Sequence, residues 1–262
     1  MTDTHQTHRA DDRTERDAVP RVVDRAAWQA ARDELLVREK AHTREGDAIA
    51  ADRRRLPMTE VDAAAVVGPD GPTTLLELFE GREELIVYKH MWHPGEPFEN
   101  QCAGCTMTYW AVQDPAYLTA RGVSFAVLAK ASYAELAPFV EFMGYPRHWY
   151  SVLDTQDDVV GGGDFGTWVC FLRQGDRVYL TGTVTGRGAE ATMPALALLD
   201  MTVRGRKETW QDYPEGWPEG KVSGWFWRTD EHGAGTSWVG GRPAVQWARP
   251  GATPVTAGEH HH

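Results

Sequence analysis

Apolar and polar positions are spread unevenly along the chain, and the change in their spacing divides it. Residues 1–23 are polar, charged and without period, which is the pattern of a disordered tail. Asp24 is placed to cap a helix in which Trp28, Ala31 and Leu35 recur at helical spacing. A polar run, "VREKAHTREGDAIAADRRR", continues that helix until Pro57 stops it. The 24–56 segment therefore reads as a helical extension packing outside the main domain, with a homodimer contact as the alternative.

From Pro57 the spacing alternates. "PDG" at Pro69–Gly71 marks a tight turn between two short extended pieces. "TTLLELFEG" reads as a short helix stopped by Gly81, and "ELIVYKHMW" as a buried strand, being β-branched, aromatic and too short for a core helix. Cys102–Gln113 reads as a helix and "VSFAVLAK" as a second buried strand; Ser132 caps the helix "YAELAPFVEFMG", which a glycine closes. "TWVCFL", the turn "RQGD" and "RVYLTGTV" form an antiparallel hairpin, followed by the helix "AEATMPALALLDM". Parallel pieces first and a hairpin plus helix last predict, over 57–205, an α/β sandwich with a central mixed sheet of four or five strands. Residues 206–259 break this rhythm. They hold Trp210, Trp217, Trp225, Trp227, Trp238 and Trp247 among glycines and prolines, the pattern of a loop-rich cover whose indoles pack on the domain or form an aromatic lid. His260–His262 read as a tag remnant and are set aside.

Charge and composition narrow the chemistry. A formal net charge of −11 repels a phosphate backbone, so nucleic acid is excluded as a natural partner. The N-terminal segment lacks the apolar core of a signal peptide, and no apolar run approaches bilayer length, which predicts a cytoplasmic protein without membrane contact. In a reducing compartment three cysteines do not make a disulfide framework; a C-x-x-C there points to redox or metal chemistry.

That motif is "CAGC", Cys102 to Cys105, and three readings of it remain open. Cys102 follows a buried strand and starts a helix, where free N–H groups favour a thiolate, with thiol pKa values of about 3.5–7.5 for cysteines so placed. In this dithiol reading Cys102 attacks, Cys105 resolves, and no cofactor is required. A metal reading adds His93, and less readily His90, to the two thiols as ligands for copper or zinc. His90 and His93 lie three apart at a strand end and converge only if the chain bends near Pro94, so His90 reads first as a core histidine. The third reading makes both cysteines small apolar residues of a buried helix, against which stands the polar, exposed-looking loop "HPGEPFENQ" before them. Cys170, inside "TWVCFL", reads as a buried core thiol.

The segments "GPDGPTTLLELFEGREELIVYKHMWHPGEPFENQCAGCT", "FAVLAKASYAELAPFVEFMGY" and "FLRQGDRVYLT" strongly resemble a bacterial thioredoxin-like family of unknown function, over about Trp28 to Asp200. The resemblance implies a thioredoxin-like three-layer sandwich, close in layout to peroxiredoxins, and brings no settled activity. Two family patterns are missing. Gly166-Thr167-Trp168 stands where thioredoxins place a cis-proline, and Gly95 and Glu99 stand where peroxiredoxins place proline and threonine before the reactive cysteine. Arg147 or Arg187 is left to supply positive charge. The expectation is a thiol oxidoreductase acting on a small oxidant or disulfide, recycled by a cellular thiol reductant. A copper- or zinc-binding protein and a non-catalytic interaction module are the alternatives.

Overall fold

The structure is a computed structural model and describes residues 19–62 and 64–217. These fall into two compact units, one of residues 57–198 and one of 19–56 with 199–217. In chain order the elements are α1 (Arg25–Arg53), β1 (Thr59–Val61), β2 (Ala65–Gly68), β3 (Gly71–Thr74), β4 (Glu84–His90), α2 (Ala103–Trp110), α3 (Ala116–Thr119), β5 (Val123–Ala129), α4 (Tyr133–Met143), β6 (Trp149–Ser151), β7 (Thr167–Gln174), β8 (Arg177–Val184) and α5 (Pro194–Asp200).

All eight strands join one sheet in the order β1-β8-β7-β4-β5-β6-β2-β3. The expected four or five strands are its centre. β4, β5 and β6 run parallel, while β7 lies antiparallel to β4 and returns as the β7–β8 hairpin. A central parallel pair with an antiparallel hairpin beside its first strand is the thioredoxin-like arrangement. The extra strands are short edges: β1 pairs β8, and the β2–β3 hairpin pairs β6 through Val67 and Ser151. Three- and four-residue strands leave almost no alternation to read, which is why the sequence did not reveal the full sheet.

Strand period places the core on both faces. Tyr88, Phe125, Val127, Ala129 and Trp168 point to one face, where Cys105 and Tyr109 of α2 and Leu136, Phe139, Val140 and Met143 of α4 cover them. Leu85, Val87, Ala126, Leu128, Val169 and Phe171 point to the other. That third layer is made by a 3-10 turn carrying Leu78 and Phe79 and by the loop carrying Val152 and Val160. α4 begins with a capping box: the Ser132 hydroxyl accepts from Glu135 N–H at 3.3 Å, and the Glu135 carboxylate accepts from Ser132 N–H at 3.0 Å. Gly144, at φ 68°, ends it.

In the other unit, Asp24 caps α1 as expected by accepting from Ala27 N–H at 2.8 Å, and α1 has no buried residue. Arg206 lies over Trp210 and Arg204 over Trp217, at 5.7 and 5.3 Å from the ring centroids. Trp225, Trp227, Trp238 and Trp247, with most of the expected cover, lie outside the described residues. No helix among the described residues is long and apolar enough to cross a membrane.

The end of β4 is fixed by a buried lysine. Lys89 Nζ donates to the carbonyl of Val159 at 2.8 Å and to that of Gly162, and sits 4.7 Å from the centre of the Phe165 ring. Burial lowers its pKa, while Asp157 and Asp164 act in the opposite direction. The glycine run at 161–163 is the loop wrapped on this ammonium: a Cβ at Gly161 would stand 2.1 Å from the carbonyl oxygen of Thr155. Gly161→Ala is therefore expected to destabilise the protein by about 1–3 kcal/mol, the cost of overpacking. An unchanged denaturant midpoint would show that the loop does not need this close approach.

Candidate functional site

β4 delivers the chain to one end of the sheet, and residues 91–101 carry it back to α2. Gln101, fully buried, holds that return: its Oε1 accepts from His93 N–H at 3.0 Å, and its Nε2 donates to the carbonyls of His93 and Glu96 at 3.0 and 3.1 Å. Asn100 Nδ2 donates to Glu96 Oε2 at 2.9 Å. Phe98 inserts against Phe139 and Phe142. The loop expected to be exposed is thus only partly so; Pro94, Gly95 and Pro97 face solvent, whereas Glu99, Asn100 and Gln101 are buried. Polar sequence and burial are compatible here because side-chain amides meet the backbone groups of the turn.

Cys102 is the N-cap of α2, and its Sγ accepts from Cys105 N–H at 3.3 Å. Its carbonyl accepts from both the N–H and the hydroxyl of Thr106 at 3.0 Å. Cys105 lies one turn further in, with Met91 N–H donating to its Sγ at 3.4 Å. Both thiols are free, Cys102 5% and Cys105 1% exposed. Their pKa values are driven apart. The Cys105 side chain hydrogen-bonds Cys102 and pulls its thiol far down; burial opposes this, and hydrogen bonds from His93 and from the Cys105 N–H add to it. Burial, and then the Cys102 thiolate, push Cys105 well up, against hydrogen bonds from Tyr88 and Met91. The consistent picture is Cys102 as thiolate and Cys105 as the thiol donating to it.

His90 is fully buried against Trp149, Phe139 and Tyr88, so the core-histidine reading describes its packing. Its Nδ1 lies 2.7 Å from the carbonyl of Met91; a carbonyl only accepts, so the proton is on Nδ1. Burial lowers its pKa to about 4. His148, whose Nε2 lies 2.8 Å from the Tyr109 hydroxyl, is also lowered by burial to about 4. His93 hydrogen-bonds the Cys102 thiol, but among the described residues no group of three or more His, Cys, Asp or Glu side chains could hold a metal ion.

The two arginines considered as a source of positive charge are each paired with a carboxylate: Arg147 lies 3.7 Å from Asp70 and Arg187 3.3 Å from Glu190. Cys170 needs correction too: it is half-buried, at the point where the β7–β8 register shifts. Tyr88, Gln101 and the Met91 N–H were not foreseen as site groups. Tyr88 and Gln101 carry no motif, and their roles arise only when strand, loop and helix meet. The aromatic wall behind the dithiol likewise comes from β4, β6, α2 and α4, with Trp149 5.4 Å from both Tyr109 and Tyr145.

The model of a family described as bacterial proteins of unknown function, DUF899, matches residues 17–232. No curated protein matches the chain significantly. Among solved structures, the chain is similar to a candidate thiol:disulfide interchange protein DsbE from Chlorobium tepidum, at 16% identity and a TM-score of 0.35 over 54% of this chain and 98% of that one. It is also similar to apo Sco1 from Thermus thermophilus, at 15% identity and a TM-score of 0.30 over 55% of this chain and 94% of that one. The strand order described above, rather than these overlaps, carries the fold assignment.

The two buried histidines make acid stability measurable. Each has a folded-state pKa of about 4 against an ordinary 6.5. The unfolded chain therefore binds more protons between those values, and stability is full above pH 6.5 and falls as pH drops towards 4. The loss is about 2–3 kcal/mol per histidine by pH 4. Denaturant unfolding at pH 7 and pH 4.5 should show it, with a clearly smaller loss in His148→Asn; equal losses in both proteins would refute the assignment for His148.

Proposed function

Because this chain belongs to the DUF899 family of bacterial proteins of unknown function, and membership names no reaction, we propose its function from the site: a cytoplasmic thiol oxidoreductase acting on a small oxidant or disulfide. The observation that carries this reading is the asymmetry of the dithiol, with Cys102 held as a thiolate at a helix N-terminus and Cys105 held as a thiol one turn deeper. The thiolate is the nucleophile in thiol chemistry, and a neutral neighbouring thiol is in reserve to close the cycle.

With a hydroperoxide, Cys102 Sγ bonds the terminal oxygen as the O–O bond breaks, giving a sulfenic acid and an alkoxide that takes up a proton. With a disulfide, Cys102 forms a mixed disulfide and expels one thiolate. Cys105 then attacks Cys102 Sγ and displaces water or the second thiol, leaving Cys102–Cys105 as a disulfide. A cellular thiol reductant restores the dithiol. Small substrates are favoured because the nucleophile is only 5% exposed and its surroundings are aromatic. A copper or zinc reading through His93, Cys102 and Cys105 has the His93–Cys102 contact in its favour, but among the described residues no group of three or more His, Cys, Asp or Glu side chains is arranged to hold a metal ion.

Peroxide titration of untagged protein, with thiol counting, peptide mapping and metal analysis, tests the proposal. The expected result is loss of two thiols per chain as a Cys102–Cys105 disulfide without bound metal. Cys102→Ser should abolish turnover, while Cys105→Ser should accumulate oxidised Cys102. Full activity in Cys102→Ser, or stoichiometric copper or zinc lost with His93→Ala, would overturn the dithiol mechanism.

A further inference from the structure

The resolving step confronts a physical difficulty. Cys105 is 1% exposed in an aromatic core, and once Cys102 has reacted the thiolate that accepted the Cys105 proton is gone. Charge must then develop on a sulfur that solvent does not reach, where it is costly unless hydrogen-bond donors are already in place.

Two such donors converge on Cys105 Sγ. One is Met91 N–H, at 3.4 Å, presented by the first residue after β4. The other is the hydroxyl of Tyr88, itself 1% exposed, which hydrogen-bonds both Cys105 and Thr108. The Thr108 hydroxyl donates its own proton to the carbonyl of Gly104 at 2.9 Å, so it meets Tyr88 as an acceptor. The tyrosine proton therefore has two acceptors, Thr108 Oγ1 and Cys105 Sγ. The Tyr88 ring is fixed 4.6 Å from Trp168 and edge-on to His90, so the hydroxyl does not need to search. The groups facing Cys105 are then Cys102, the Tyr88 hydroxyl and the Met91 N–H.

Resting on the dithiol reading above, we propose that Tyr88 O–H and Met91 N–H form a two-donor anion hole for the resolving sulfur, and that Tyr88 is a catalytic residue of the second step. As Cys105 attacks, the Tyr88 proton turns from Thr108 to the sulfur that carries the developing charge. The S–S bond to Cys102 forms, the bond from Cys102 Sγ to the leaving group breaks, and the proton released by Cys105 leaves with the expelled hydroxide or thiolate. The ordinary role of a buried strand tyrosine is packing, and a phenylalanine would fulfil that equally well. The hydroxyl is what the second step uses.

A dipyridyl disulfide separates the two steps, because attack by Cys102 releases one thiopyridone and resolution by Cys105 releases another. In a Cys170→Ser background the parent protein should show two phases. Tyr88→Phe should slow the second phase relative to the first by about ten- to a hundredfold, the worth of one charge-assisted hydrogen bond, and move the pH profile of that phase upward. Thr108→Val, which leaves Cys105 as the sole acceptor for Tyr88, should resolve at least as fast as the parent. An unchanged ratio of phases in Tyr88→Phe, both phases falling together, or a slowed second phase in Thr108→Val would overturn the anion hole while leaving the dithiol mechanism standing. A parent protein that never releases the second equivalent would overturn both.

Discussion

The meeting of Cys105 with Cys102 Sγ across the first turn of α2 sets the character of the site: the Cys105 thiol hydrogen-bonds the sulfur and lowers its pKa most, and the Cys105 N–H donates to it at 3.3 Å. The first turn of any helix leaves N–H groups without partners, and here a sulfur stands where an N-cap oxygen would be. The same bond satisfies the backbone and stabilises negative charge on Cys102. It also fixes the geometry of the pair, since the residue that donates the N–H is the one whose thiol must later attack. The helix start, the nucleophile and the resolving group are one structural unit, positioned by the end of β4 and by Gln101.

The surroundings make that contact count. Tyr88, His90, Tyr109, Phe139, Trp149 and Trp168 form an apolar wall in which a charge has few partners, and each donor therefore weighs more than it would in water. Burial alone would keep both thiols protonated. Cys102 escapes because several groups act on it together, whereas Cys105 does not. The same burial keeps His90 neutral with its proton on Nδ1, so the site holds a histidine that carries no charge at neutral pH. On the other side of β4, Lys89 and its carbonyl cage anchor the strand end from which Met91 N–H is aimed.

Much of this fold was legible because its central strands are long and two-sided. "ELIVYKHMW" and "VSFAVLAK" became β4 and β5, the Ser132 capping box opened α4, and "CAGC" fell at a helix start. What was hidden depends on contacts between distant segments. The short strands β1 and β6 become strands only through the partners that pair with them. "HPGEPFENQ" looks solvated because its polar atoms are visible in the sequence, while their partners are not. Cys170 looked like a core residue because "TWVCFL" is uniformly apolar, yet a register shift beside it leaves it half-buried. The helix "AEATMPALALLDM" divides at Met193 into a 3-10 stretch and α5, since Pro194 is at home as a first helical residue but not in the middle of a helix.

The measurement that bears most directly on this account is the ultraviolet absorbance of thiolate as a function of pH, recorded for the reduced protein and for Cys102→Ser. The account predicts one thiolate per chain already present at neutral pH, titrating well below the ordinary thiol value of about 8.5 and missing in Cys102→Ser. Thiolate that appears only near or above the ordinary value, or a neutral-pH signal that survives in Cys102→Ser, would contradict it.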